Sequence, residues 1–223
     1  MTRFISSWLE WQLADSAFPV GGYAHSSGLE AAWQQGEVNA ASLPRFVRDA
    51  IAQAGWGGVP FLLAAHDDPE ALQAIDERCD AFLRNQVANR ASRVQGRAWI
   101  GTIERAFPRP DVRAFCDGVR ARPMARHNAP LVGATLRTLE VDRHSAARLF
   151  LFGICRGTLS AAVRLGIVGT TDAQRLLAER ADDLDRTLAA SVTLTLEEAA
   201  QTSPLADLWQ ASHDRLYSRL FQS

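Results

Sequence analysis

The chain has 223 residues, 47% hydrophobic and 22% charged, the composition of an ordinary globular protein. A chain this long buries about 70% of its unfolded surface, so its core needs no disulfide or metal to hold it. A formal net charge of −1 gives no general attraction to nucleic acid or to an anionic membrane. All 24 basic residues are arginine. That excludes a P-loop lysine, a Schiff-base lysine and a kinase-type lysine, but not an arginine acting on a partner's phosphate. Cys79, Cys116 and Cys155 form no CxxC pair and no Cys/His cluster with zinc spacing. They read as reduced, mostly buried thiols of a cytosolic protein. No secretion signal is visible at the N-terminus, and no apolar run approaches the ~18 residues of a membrane span. A soluble, cytoplasmic protein is expected.

Ala, Leu, Arg and Glu dominate and alternating β-branched stretches are scarce, which predicts an all-α fold. An opening helix over residues 4–17 should stop at the turn-forming stretch 18–22. Ser27 and Glu30 have capping-box spacing, so a second helix is placed from Ser27. Ser42 and Pro44 start a third, which breaks at residues 55–58. Asp68 and Pro69 open a fourth, running toward Arg84. An amphipathic helix is placed over 86–106. Pro108 and Pro110 then interrupt the chain, and Pro123 and Pro130 bracket an irregular stretch. Residues 142–165 form a strongly apolar helix with Gly166 as its C-terminal cap. Thr171 and Gln174 suggest another capping box, starting a helix toward Ala190. Ser203 and Pro204 begin the last helix, with Leu205, Leu208, Trp209, Leu216 and Leu220 at helical spacing. With no internal repeat or long linker, residues 1–223 read as one compact multi-helix domain.

The stretch 12–30 is the most unusual, gathering an acid, serines, an imidazole and paired glycines. One reading makes Asp15, His25 and Ser26 the centre of an all-helical hydrolase. A triad, however, needs an oriented base and an oxyanion pocket, and the sequence shows neither. The alternative is that Asp15 and Ser26 cap helix ends while the glycines permit close packing. His25, His66, His127, His144 and His213 are scattered with no HxH or HxxxH pair, so a dedicated metal site on a metal-carrying chaperone has no support from helical spacing.

The same stretch, with Asp15, Pro19, Gly21, Gly22, His25, Ser26, Gly28, Leu29 and Glu30, resembles the N-terminal signature of UreF-type urease accessory proteins. The resemblance continues in family order through residues 89–97, where Arg90, Ser92 and Gly96 stand, and through His127, Pro130 and Gly133. It resumes at Ser160, Ala161, Arg164 and Leu165, and closes with Ser203, Pro204, His213 and the block 217–223. It spans nearly the whole chain.

The resemblance implies a homodimer that joins UreD (also called UreH) and the GTPase UreG and helps deliver nickel to apo-urease. Nickel and GTP would act through those partners, with no tightly bound cofactor or catalytic residue on this chain. It also implies that the C-terminal segment meets UreD. Trp209, His213, Tyr217, Arg219, Leu220 and Phe221 are therefore candidate partner-binding residues, with Arg219 between two aromatics as an anchor. Ser160 and Ala161 permit close approach of another helix, and with Arg164 they are candidates for a twofold subunit contact.

Overall fold

The computed structural model describes residues 7–19 and 21–223. Twelve α-helices follow one another among these residues, joined by short loops and four single 3₁₀ turns, with no strand. They are α1 (Ser7–Ala14), α2 (Leu29–Gln34), α3 (Leu43–Gly57), α4 (Val59–Asp67), α5 (Leu72–Phe82), α6 (Gln86–Ala106), α7 (Pro110–Ala121), α8 (Asn128–Thr138), α9 (Arg143–Arg164), α10 (Thr170–Glu179), α11 (Ala181–Ser191) and α12 (Pro204–Ser212). The all-α expectation holds.

The strongest local signals give the boundaries seen. Asn85 accepts from the Val87 and Ala88 amides at 3.0 and 3.3 Å and starts α6. Asp142 does the same for His144 and Ser145, both at 3.0 Å, and starts α9. Gly166 follows α9 with φ of 71°, the left-handed cap expected.

Other expectations are corrected. The opening helix ends at Ala14, because the Asp15 carboxylate accepts from the Ala17 amide at 2.9 Å and makes a turn instead; residues 4–6 of that expected helix lie outside the described residues. The Ser27–Glu30 capping box does not form. Ser27 (φ 53°) and Gly28 (φ 89°) are both left-handed, so α2 starts at Leu29 and Glu30 turns elsewhere. The break at 55–58 narrows to Gly58, and Pro60 sits in the first turn of α4, where a missing amide hydrogen costs nothing. The expected interruptions are seen, at residues 107–109 and 122–127, and they end where Pro110 opens α7 and just before Pro130 in the first turn of α8, positions that tolerate proline. Gly169, not Thr171, precedes α10, and a 3₁₀-like bend at Arg180 divides α10 from α11. The capping box of this region lies later, at Thr195 and Glu198. The last helix stops at Ser212; Leu216 and Leu220 lie beyond it in an irregular tail.

Helix α9 ties two cores together. Ala146, Ala147 and Leu151 in its first half join a cluster with Leu62 and Leu63 of α4, Ile103 of α6, Val112 of α7 and Leu131 of α8. Cys155, Leu159 and Ala162 in its second half join Leu29, Leu43, Val47, Ile51, Leu176 and the tail residue Phe221. By length and composition α9 is apolar enough to cross a membrane, contrary to the sequence expectation. Its environment here is protein: α3, α4, α10, α1 and α11 all pack on it.

The tightest packing is α4 against α8. A Cβ on Gly133 of α8 would collide with the Leu62 carbonyl oxygen of α4, so only glycine allows this approach. The N-terminus of α8 is capped from other helices. Buried Asp76 of α5 accepts from the Arg126 and His127 amides at 2.9 and 2.6 Å, and the Ser92 hydroxyl of α6 accepts from Asn128 at 3.1 Å. Two amides that the helix start leaves unpaired, those of His127 and Asn128, are thus satisfied, and so is the amide just before them.

Gly133→Ala is expected to destabilise the protein by at least about 2 kcal/mol, because backbone rather than a flexible side chain blocks the new methyl. Gly118→Ala in α7, where a Cβ meets nothing within 4 Å, should stabilise by about 0.5–1 kcal/mol. Urea unfolding of both variants measures the contrast.

Candidate functional site

The 3₁₀ turn Gly22–Ala24 and the start of α2 form a cradle, and the C-terminal tail lies in it. The backbone of 24–26 pairs with that of 222–223: the Gln222 amide donates to the Ala24 carbonyl at 2.8 Å and the Ser26 amide to the Ser223 carbonyl at 2.6 Å. The Ser26 hydroxyl donates to the same Ser223 carbonyl at 3.1 Å, and Nδ1 of His25 lies 2.6 Å from the Ser223 hydroxyl.

Glu30 is the centre of the cradle. Only 1% of it is exposed, and its two oxygens accept from the Leu220 and Phe221 amides at 2.6 and 3.2 Å. Nε2 of fully buried His213 lies 3.0 Å from the same carboxylate. Phe221 enters the core beside α2 and α9, and the guanidinium of Arg164 stacks between the rings of Tyr23 and Phe221, 3.7 and 4.2 Å from their centroids. Arg164 also donates to the Tyr23 carbonyl. A cation between two aromatic faces is attracted to both, and it fixes the ring that enters the core. Gly28 completes the cradle: its left-handed φ allows the turn, and a Cβ there would stand 3.0 Å from the Ala206 carbonyl oxygen, so α12 closes directly on it.

The candidate residues therefore divide. His213 and Phe221 are buried anchors, and Trp209 is half-buried with its ring 5.9 Å from that of Phe46. Tyr217 is fully exposed, Leu220 is 53% exposed, and Leu205 and Leu208 on α12 are 57% and 65% exposed. Helix α12 and the docked tail both pack on α2, and these four exposed side chains are their apolar ledge. Arg219 is exposed and reaches Asp214 at 3.4 Å; Asp214 in turn is held by Arg90 at 2.8 Å. Ser160 is exposed and Ala161 buried, and both line a groove of about 630 Å³ between α9, α6 and the N-terminal segment. Gly21, Gly22 and Pro19 line the same groove, and the Pro19 carbonyl accepts from the Thr102 hydroxyl at 2.7 Å. Arg164 is occupied within its own chain by the two rings rather than by a carboxylate. Val20 lies outside the described residues.

The Asp15–His25–Ser26 trio is not assembled. Asp15 bonds within its own turn, while His25 and Ser26 hold Ser223. A different set, missed in the sequence because its members are far apart, does line up. Nε2 of His127 lies 3.0 Å from the Asp80 carboxylate, and Nδ1 lies 3.1 Å from the Ser92 hydroxyl. His127 is 0% exposed, and the Ser92 oxygen is already occupied by the Asn128 amide. The set caps α8: its imidazole is closed off from solvent and its hydroxyl oxygen is engaged by the first turn of that helix. Among the described residues no three His, Cys, Asp or Glu side chains converge on a point that could hold a metal. All three thiols are buried. Burial pushes Cys116 and Cys155 up to about 11, and Cys79 higher still, with Asp76 and Asp80 adding to the effect.

Burial, and then the charges of His213 and Arg90, lower His25 to about 4. The unfolded chain therefore takes up a proton at His25 near pH 6.5 while the folded chain does not, so stability falls as pH drops from 6.5 toward 4. Between pH 7.5 and 5 the loss from this group should be about 2 kcal/mol. His25→Asn should flatten that part of the pH dependence in urea midpoints. Glu30→Ala leaves two tail amides and an imidazole without their acceptor, a loss of about 2–4 kcal/mol for the docked tail. Hydrogen exchange should then speed up over residues 213–223 before it does in α8.

Comparison with known proteins gives this cradle a family. The family model described as UreF matches residues 37–181. A urease accessory protein F of Oryza sativa subsp. indica is 35% identical over 223 residues, covering 97% of this chain and 85% of that protein. One of Arabidopsis thaliana is 35% identical over 221 residues, covering 97% and 92%. A urease accessory protein UreF of Rhodopseudomonas palustris (strain BisA53) is 30% identical over 217 residues, covering 93% and 89%. With its N-terminal signature folded around its own tail and its length matched almost throughout, this chain belongs to the UreF family of urease accessory proteins.

Proposed function

We propose that the chain acts in urease maturation as a cytoplasmic adaptor: a homodimer that recruits the GTPase UreG to UreD and couples GTP hydrolysis to nickel insertion into apo-urease. The observation that carries this reading is the docked tail. Buried anchors at His213 and Phe221 hold it rigidly, while Tyr217, Leu220, Leu205 and Leu208 turn outward. A pre-ordered apolar ledge suits a partner surface, because association then has less chain to immobilise. UreD is the partner assigned to it. The absence of lysine supports placing nucleotide chemistry on UreG, and nickel is assigned to the assembled complex rather than to a site on this chain. For the homodimer, the groove beside Ser160 and Ala161 supports a twofold contact: the α9 face there is made of Gly153, Gly157 and Ser160, and a Cβ at either glycine would meet nothing within 4 Å.

The test is co-purification with UreD and UreG. Tyr217→Ala combined with Leu220→Ala removes exposed side chains only. It should lower UreD affinity at least about tenfold, the loss expected for two interface anchors, with the urea midpoint unchanged. Normal UreD binding by that variant, or failure of the native chain to form a complex with UreD and UreG under any nucleotide condition, removes the basis for the assignment.

A further inference from the structure

A second surface, on the first half of α6, carries a different chemistry. Arg84, just before α6, and Arg90, Arg93 and Arg97 on it line one polar cleft of about 440 Å³. All four are exposed. Spacings of three and four residues place 90, 93 and 97 on one helix face, and the seven-residue step spans about 10 Å along the axis. Among the described residues the ion pair these four make is Arg90 with Asp214, at 2.8 Å. Several helix arginines elsewhere meet carboxylates of their own chain, as Arg120 does Glu104, Arg148 Glu10 and Arg175 Glu179. Exposed Arg48, Arg113 and Arg137 do not, but they lie on three different helices. Arg84, Arg93 and Arg97 differ in that three charges with no ion pair among the described residues line one cleft, in a protein whose formal net charge is −1.

We propose that this cleft docks an acidic segment of a partner protein, one that presents two or more Asp or Glu side chains spread over about 10 Å. Guanidinium groups match carboxylates two bonds at a time, and three of them in a row define both charge and spacing. A single phosphate is a poorer match. The cleft runs from the start of α6 along its first three turns, where the Val87, Ala88 and Asn89 amides are already taken by the side chain and carbonyl of Asn85, so no backbone nest encloses an isolated anion. Nucleic acid is also disfavoured. The cleft offers no aromatic ring for a base to stack on. Asp80, which hydrogen bonds to Asn89 and His127, and Asp214 flank the stripe and interrupt it for a continuous phosphate backbone.

The experiment uses the full chain and fluorescently labelled hexaglutamate as the probe, followed by anisotropy at low and at physiological salt. The triple variant Arg84→Gln, Arg93→Gln, Arg97→Gln changes exposed side chains that have no ion pair, so the fold should be kept. A control of equal charge change, Arg48→Gln, Arg113→Gln, Arg137→Gln, alters exposed arginines elsewhere. The expected result is hexaglutamate binding that weakens about tenfold in the cleft variant, from three exposed charge pairs, and stays within about twofold of wild type in the control. Equal weakening in both variants, no weakening in either, or no binding by the wild type at low salt overturns the proposal. So does tighter binding of inorganic tripolyphosphate or of oligothymidylate than of hexaglutamate.

Discussion

A single buried carboxylate organises the functional end of this molecule. Glu30 accepts two tail amides and faces one imidazole, all from residues 213–221. Burying a carboxylate is costly unless its oxygens are fully hydrogen-bonded. The structure meets that requirement only when the tail is in place, so the tail's position is coupled to the stability of the segment holding it. The same bonds hold residues 220–223 against the fold. Phe221 contributes apolar burial, Arg164 clamps its ring, and the Ser26–Ser223 and Ala24–Gln222 backbone bonds complete the seal.

The rigidity needed beneath that seal comes from α8 and α9. Helix α9 contributes to both apolar clusters, so a movement at the cradle is resisted by packing that extends through α4 and α8. Helix α8 is held by a backbone contact at Gly133 and by side-chain caps from α5 and α6. Close-packed interiors of this kind do not deform smoothly. The ledge of Tyr217, Leu220, Leu205 and Leu208 thus rests on a firm base, although two of its residues lie in the irregular tail beyond α12.

Much of this architecture is legible in the sequence, and the exceptions share a cause. Helices α6 and α9 begin at Asn85 and Asp142, whose short side chains cap locally, and each is found within a residue of where periodicity puts it. The failures come where a residue's partner is remote in the chain. Ser27 and Glu30 have the spacing of a capping box, yet Glu30 bonds to residues about 190 positions away. The prolines mark real breaks at 107–109 and 122–127, but the capping that starts α8 comes from the remote Asp76 and Ser92, which no local pattern shows. Of the site, the resemblance marked both halves, residues 21–30 and 213–223. That they are two sides of one seal is a tertiary fact that no local pattern carries.

The same rule of remote partners bears on what the polar residues do. A hydroxyl, an imidazole and a carboxylate in line are often a sign of catalysis, and Ser92, His127 and Asp80 have that order. Catalysis also requires that the hydroxyl be free to meet a substrate and that donors surround a developing oxyanion. Here the Ser92 oxygen accepts from the Asn128 amide, the imidazole has no exposed surface, and Asp80 is further held by Asn89 at 2.8 Å. His25, His213, Glu30 and Ser223 are likewise committed to one another. These buried polar side chains maintain the protein's shape, and its exposed surface carries the apolar side chains of α12 and the tail and the arginine cleft of α6, the chemistry on which the proposed docking rests.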